Sequence, residues 1–162
     1  QISWTICLFG AELTYAGQNL RNFSFDKDTQ NISRRYRDFI SILIMSLIAK
    51  RFERNEPPYT AEEISEEHQI PIRLTNQTLY QLQEINLIHE VVTDQKSEEI
   101  AYQPSMDLNQ LNVAVVLDRL DTYGSENFKI DKEVEFSDEW RILVESREEY
   151  YKKASKVLLK EL

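Results

Sequence analysis

Residues 57–104 constrain the fold more than any other stretch: PPYTAEEISEEHQIPIRLTNQTLYQLQEINLIHEVVTDQKSEEIAYQP. Thr60 followed three residues later by Glu63 is a capping box, so a helix starts there. It carries Ile64 and ends near residues 68–70. Pro71 suits the first turn of a second helix. That helix carries Ile72, Leu74, Leu79, Leu82 and Ile85 close to one face, and Asn86 can end it. Two extended runs follow, 87–93 and 99–103. Their valines and isoleucines favour strands, and the polar link between them, 94–98, is wing-like. Helix, turn, helix and hairpin in this order describe a winged helix-turn-helix.

The flanks extend that unit. Residues 32–54 predict a helix in which Tyr36, Phe39, Ile40, Leu43, Leu47 and Ile48 recur at helical spacing. Ile42, Ile44 and Met45 widen the stripe, as in a core helix buried on most sides. Residues 112–123 predict another helix, with Asn112 as N-cap, Gly124 as the stop and Val113, Val116, Leu117 and Leu120 facing inward. A polar connection, 125–136, leads to a last helix that opens at Ser137 and is expected to run to the chain end. Asp138 and Glu139 in its first turn and Lys152, Lys153, Lys156 and Lys160 late in it suit the helix dipole. One face (Trp140, Leu143, Val144, Arg147, Tyr150, Tyr151, Ala154, Val157, Leu158) can dock on its own domain or on a second copy. The expected architecture is mainly α with a small β-hairpin: a winged helix-turn-helix flanked by an N-terminal apolar helix and a long C-terminal helix. Three parts result: the end of a transmembrane or apolar helix over 1–21, the winged domain over 22–124, and a connection with the last helix over 125–162.

Charge argues about function. The formal net charge is -9, and DNA affinity rests largely on neutralising phosphates. Within residues 56–103 there are ten acidic side chains and two basic ones, Arg73 and Lys96. Arg73, Asn76, Gln77 and Gln81 on the second helix could hydrogen-bond to bases. Without phosphate contacts such groups have little to position them. The favoured expectation is therefore a winged helix reused for protein contact, with nucleic acid not expected as a partner. The alternative is a DNA-binding transcription regulator whose basic surface comes from Arg34, Arg35, Arg37, Lys50 and Arg51.

Catalytic readings find no support. His68 and the neighbouring Glu66 and Glu67 do not share a helix face, and His89 and Glu90 alternate across a strand. There is no Gly-rich phosphate loop, no HExxH and no nucleophile elbow. One cysteine, Cys7, and two histidines argue against a disulfide framework or a multi-ligand zinc site. No catalytic residue, metal or cofactor is expected.

Residues 2–17 are apolar with a single charge, Glu12. The run is shorter than the roughly 20 residues of a bilayer span, but it begins at the start of the chain, so preceding residues would complete it. Arg21, Lys27, Arg34, Arg35 and Arg37 follow against Asp26, Asp28 and Asp38, as expected on the cytoplasmic side of a membrane. A buried amphipathic helix is the other reading, and composition does not separate the two.

The segment ISWTICLFGAELTYAGQN resembles the last transmembrane helix of the YihY/BrkB family of bacterial inner-membrane proteins. The resemblance is carried by Trp4, Ile6, Leu8, Gly10, Ala11 and Glu12, then Gln18 and Asn19. It implies an inner-membrane location, with the winged domain as a cytoplasmic extension that contacts the membrane domain, a protein partner or a second copy of itself. The family is often labelled ribonuclease BN, but no ligand set here matches such an activity. The winged cassette and the helix after it are also similar to the winged domains of some redox- and iron–sulfur-sensing bacterial repressors. The cysteines those sensors use are absent.

Overall fold

The computed structural model describes residues 30–94 and 98–162. Chain contacts divide at Arg34, and the unit Arg35–Leu162 holds everything discussed below. The elements run α1 (Arg34–Glu53), β1 (Tyr59–Thr60), α2 (Ala61–His68), α3 (Ile72–Glu84), β2 (Ile88–Val92), β3 (Ile100–Pro104), α4 (Val113–Asp121), α5 (Ser137–Ala154) and a 3-10 turn, Leu159–Glu161. This is the winged helix-turn-helix read from the sequence.

The helix ends follow from local chemistry. Thr60 accepts from the Glu63 N–H at 3.2 Å, and Glu63 accepts from the Thr60 N–H at 3.0 Å. That reciprocal pair satisfies two donors at the start of α2. Three helices end in the same way, with one residue in the left-handed region: Asn55 after α1, Gln69 after α2 and Asn86 after α3. In each case the following amide closes a wide turn. Glu56 donates to Arg51, Ile70 to Ser65 and Leu87 to Leu82. Glycine usually fills this position. The chain has only three glycines, so asparagine and glutamine take their places.

The core lies where α1, α2, α3 and the sheet converge. Ile44, Met45 and Ile48 of α1, Ile64 of α2, Leu79 and Leu82 of α3, and Leu87 at the start of the wing are all at most 2% exposed. The hydroxyls of Ser41 and Ser46, buried on α1, bond back to the carbonyls of Arg37 and Leu43. A polar side chain satisfied within its own helix can be buried at little cost. Leu82→Ala is expected to destabilise the fold by about 2–5 kcal/mol through lost packing and the cavity left behind, measured as a lower urea midpoint.

Two features differ from the sequence expectation. The hairpin is the larger part of a three-stranded sheet of order β1-β3-β2. Tyr59 pairs with Tyr102 and Thr60 with Ala101, and a two-residue strand is too short to show a period. The last helix also stops at Ala154 rather than at the chain end. The chain then turns back, and Leu159 is fully buried, its amide donating to the Leu111 carbonyl at 3.1 Å. A continued helix could not make this return, and burying Leu159 outweighs the missing helical turns.

The apolar run 2–17, expected to span a membrane or to pack as a buried helix, lies outside the described residues. Among the described residues no helix is long and apolar enough to cross a bilayer. The apolar centre of α1 is bracketed by charges and interrupted by Ser41 and Ser46. The motif residues Gly10, Ala11, Glu12, Gln18 and Asn19 lie outside the described residues.

Candidate nucleic-acid interface

Helix α3 has one face in the core and one outside. Leu74, Thr75, Thr78, Leu79 and Leu82 are buried. Arg73, Asn76, Gln77 and Tyr80 are exposed on the opposite stripe, and Gln81 is half-buried at its edge. Three of the four residues singled out on this helix therefore share an open surface. Tyr80, 63% exposed, belongs with them. Its spacing from Asn76 and Gln77 places it on the same face, a signal available in the sequence.

Two clefts flank this stripe, and they differ in charge. On one side Arg37 and Ser41 of α1 and Tyr123 beyond α4 line a cleft of about 360 Å³ with Gln77, Tyr80 and Gln81. On the other, Glu62 of α2 and Glu98, Glu99, Ile100 and Tyr102 of the wing line one of about 540 Å³ with Asn76. Burial raises the pKa of the Tyr102 hydroxyl, and the charges of Glu90 and Glu62 raise it further. Negative potential therefore concentrates on the wing side.

Arg51, one of the proposed basic contacts, is committed elsewhere. Its guanidinium lies 3.4 Å from the centre of the Tyr59 ring. It pairs with Glu63 at 3.3 Å, Glu67 at 3.4 Å and Glu56 at 3.9 Å, and donates to the Pro57 carbonyl. Three of the ten acids in the cassette are thus gathered around one cation that joins α1 to α2. Tyr59 donates to Glu67 in the same cluster at 3.1 Å.

Helix α3 is held from behind. Arg119 of α4 donates to the Ile85 and Asn86 carbonyls at 2.9 and 3.1 Å. A cation on carbonyls at a helix C-terminus suits the dipole. Two residues on, Asp121 accepts from the Tyr151 hydroxyl and pairs with Arg147 at 3.5 Å, which ties α5 to α4. Burial, the bond to Asp121 and the charges of Asp121 and Asp118 raise the Tyr151 pKa, with Arg147 opposing. A tyrosine raised on folding keeps its proton while the unfolded one loses it. Its contribution is full below the ordinary value of 10.0 and falls as pH rises beyond it. Stability is expected to drop between pH 9 and 11, about one unit either side of that value, and Tyr151→Phe to reduce the drop. Urea midpoints at the two pH values measure this.

Helix α5 has no buried residue. Trp140, Val144, Arg147, Tyr151 and Ala154 are half-covered along one seam, while Ile142, Leu143 and Tyr150 are 56%, 50% and 49% exposed. Phe128, Ile130 and Val134 in the connection before it are exposed as well.

No family model and no curated protein sequence matches the chain. Solved structures do. IscR of T. potens matches with 15% identity and a TM-score of 0.55, over 82% of this chain and 87% of that one. CymR of Staphylococcus aureus matches with 16% identity and a TM-score of 0.53, over 78% and 93%. CymR (YrzC), the global cysteine regulator of B. subtilis, matches with 14% identity and a TM-score of 0.54, over 81% and 94%. At these identities the likeness is one of fold, the winged helix.

These findings overturn several expectations. The YihY/BrkB resemblance is not supported: no family model matches, and the structures that do match are IscR and CymR, one of them named as a global cysteine regulator. The motif covers about a tenth of the chain, too little apolar sequence to define a family. The inner-membrane location, the membrane partner and the ribonuclease label fall with it. The exclusion of nucleic acid as a partner is also corrected, because the structures that match share this fold and one of them is named as a global cysteine regulator. Total charge was the wrong measure. Part of the acid is drawn to Arg51, part to the wing side, and Arg37 of α1 lines the cleft at the other edge of α3.

Proposed function

We propose that this chain is a winged-helix transcription regulator that reads DNA with α3 and acts as a pair of copies joined through α5. One observation carries the reading: Arg37 lines the same cleft as Gln77 and Gln81. A cation able to hold a phosphate then stands beside amides able to read a base edge, the combination that sequence-specific binding needs. Arg73 adds a second cation on the same stripe. The regulator named in the B. subtilis structure and the shared fold support the class, not the target. In a two-fold pair, the two α3 helices would meet half-sites about one helical turn, roughly 34 Å, apart.

Selection of random-sequence duplexes against the full chain at low salt tests the reading. Enrichment of an inverted-repeat motif is expected. Affinity for it should fall as salt rises from about 50 to 200 mM. A library that yields no motif even at the lowest salt would sink the proposal.

A further inference from the structure

We infer that α4 couples the pairing of two copies through α5 to the setting of α3, with Arg119 and Asp121 as positioning residues. This rests on the function proposed above and adds how assembly reaches the reading helix.

The hold on α3 is made at its C-terminal end. The last carbonyls of a helix have no donor within it. Beyond α3 the chain leaves the helix through Asn86, at φ 59°. Arg119 comes in from α4 and donates to the Ile85 and Asn86 carbonyls at 2.9 and 3.1 Å. Hydrogen bonds from a charged donor are roughly twice as strong as neutral ones. Ile85 in turn donates its amide to the Gln81 carbonyl at 3.1 Å, so the hold lies one turn from a reading residue. At the start of α3, Pro71 makes no side-chain cap. A displacement of Arg119 therefore acts on α3 at the end that carries Gln81.

Helix α4 is tied to α5 at both of its own ends. At its start the Val113 amide donates to the Val157 carbonyl, just past α5, at 3.0 Å, and the Leu159 amide donates to the Leu111 carbonyl at 3.1 Å. At its end Asp121 accepts from the Tyr151 hydroxyl and pairs with Arg147 at 3.5 Å. The Asp121 side chain is only 13% exposed, so salt screens this pair less than a surface one. Tied in this way, the nine residues of α4 follow α5 as one body, and Arg119 follows with them. The surface offered to a second copy reaches the same clamp. Tyr150 is 49% exposed on α5, and its ring lies 5.9 Å from that of Tyr151, centre to centre, tilted by 57°. A partner that covers Tyr150 packs against the ring beside the one bonded to Asp121. Contact therefore runs from Tyr150 through Tyr151 and Asp121 to Arg119 and the end of α3. Coupling of this kind is reciprocal: what pairing does for α3, bound DNA does for pairing.

The test is a double-mutant cycle on the full chain. Its probe is a fluorescein-labelled duplex that carries one half-site of the enriched motif, so that a second half-site contact cannot contribute. Ile142→Glu with Leu143→Glu supplies the unpaired chain. Affinities per chain are measured by anisotropy, at a concentration where light scattering shows the parent paired and the variant not. The ratio of parent to unpaired affinity is expected to be at least about fivefold larger than the same ratio in an Arg119→Ala background, the lower end of coupling between sites. The two added charges act alike in both backgrounds and cancel in the cycle. A merely structural role for Arg119 would lower both affinities by the same factor and leave the ratio unchanged. Where Arg119→Ala fails to fold by circular dichroism, Tyr151→Phe, which removes one hydroxyl and no packing, takes its place with the same expectation. A smaller difference between the ratios in the folded background overturns the inference while the proposed function stands. A parent chain that enriches no duplex, or a pair that the α5 substitutions leave intact, overturns the proposed function itself, and the inference with it.

Discussion

Alanine at Asn76, Gln77 and Gln81 together is expected to erase most of the preference for the enriched duplex over a random one. Each good bidentate amide–adenine contact is worth about 1–3 kcal/mol of discrimination. Loss of two or three such contacts reduces the preference by about 100-fold or more. The salt slope should stay the same, because no charge is removed. Stability should hold or rise: Asn76 and Gln77 are exposed, Gln81 is half-buried, and alanine is a strong helix former. Competition anisotropy with specific and random duplexes separates the outcomes. An unchanged ratio with unchanged salt slope would remove α3 as the reading element. The contrast with Arg37→Ala is informative in itself, since that change lowers affinity for all sequences alike.

The second large effect is on assembly. Helix α5 buries no residue in its own chain, yet exposes Ile142, Leu143 and Tyr150, with Phe128, Ile130 and Val134 uncovered in the preceding connection. Apolar patches of this kind mark association sites. The chain is expected to elute at twice its own mass, measured by light scattering. Ile142→Glu with Leu143→Glu places two charges at the centre of the patch. Central interface residues commonly contribute about 2 kcal/mol or more each, so a dissociation constant at least about 100-fold weaker is expected. The variant should stay folded, because α5 is held on α4 by Tyr151 and Arg147 on Asp121, neither of which is replaced. Its affinity for a two-half-site duplex should also fall, as the second contact becomes intermolecular. An unaltered dimer would place the interface elsewhere, and a monomeric parent would rule out the paired reading of DNA.

The elements themselves were legible in the residues. The capping box of Thr60 and Glu63, the stop at Asn86 and the alternation of core and surface positions on α3 all depend on groups within one or two turns of each other. The candidate residues Arg73, Asn76 and Gln77 were legible for the same reason: helical spacing puts them on one stripe. Tyr80 is on that stripe too, by the same spacing. The neighbours of that stripe were not legible. Nothing local tells that Arg37 comes beside Gln77, or that Arg119 holds the end of α3 through the Ile85 and Asn86 carbonyls. Charge misled in the same way. Counted along the chain, ten acids against two bases oppose DNA. In space Glu56, Glu63 and Glu67 converge on Arg51, which lies outside the counted stretch, while Glu62, Glu98 and Glu99 gather on one side only.

The sequence by itself therefore determined a winged helix-turn-helix, because capping, turn formation and helical periodicity are interactions between near neighbours. Tertiary structure alone decided which charges stand beside the exposed stripe of α3. Electrostatic potential sums over groups brought together from separate elements, and no count along the chain carries their positions. It also decided the return of Leu159 to the core and the open face of α5. Both depend on which surfaces are already covered, and a helix's own period shows that it has an apolar face but not what covers it.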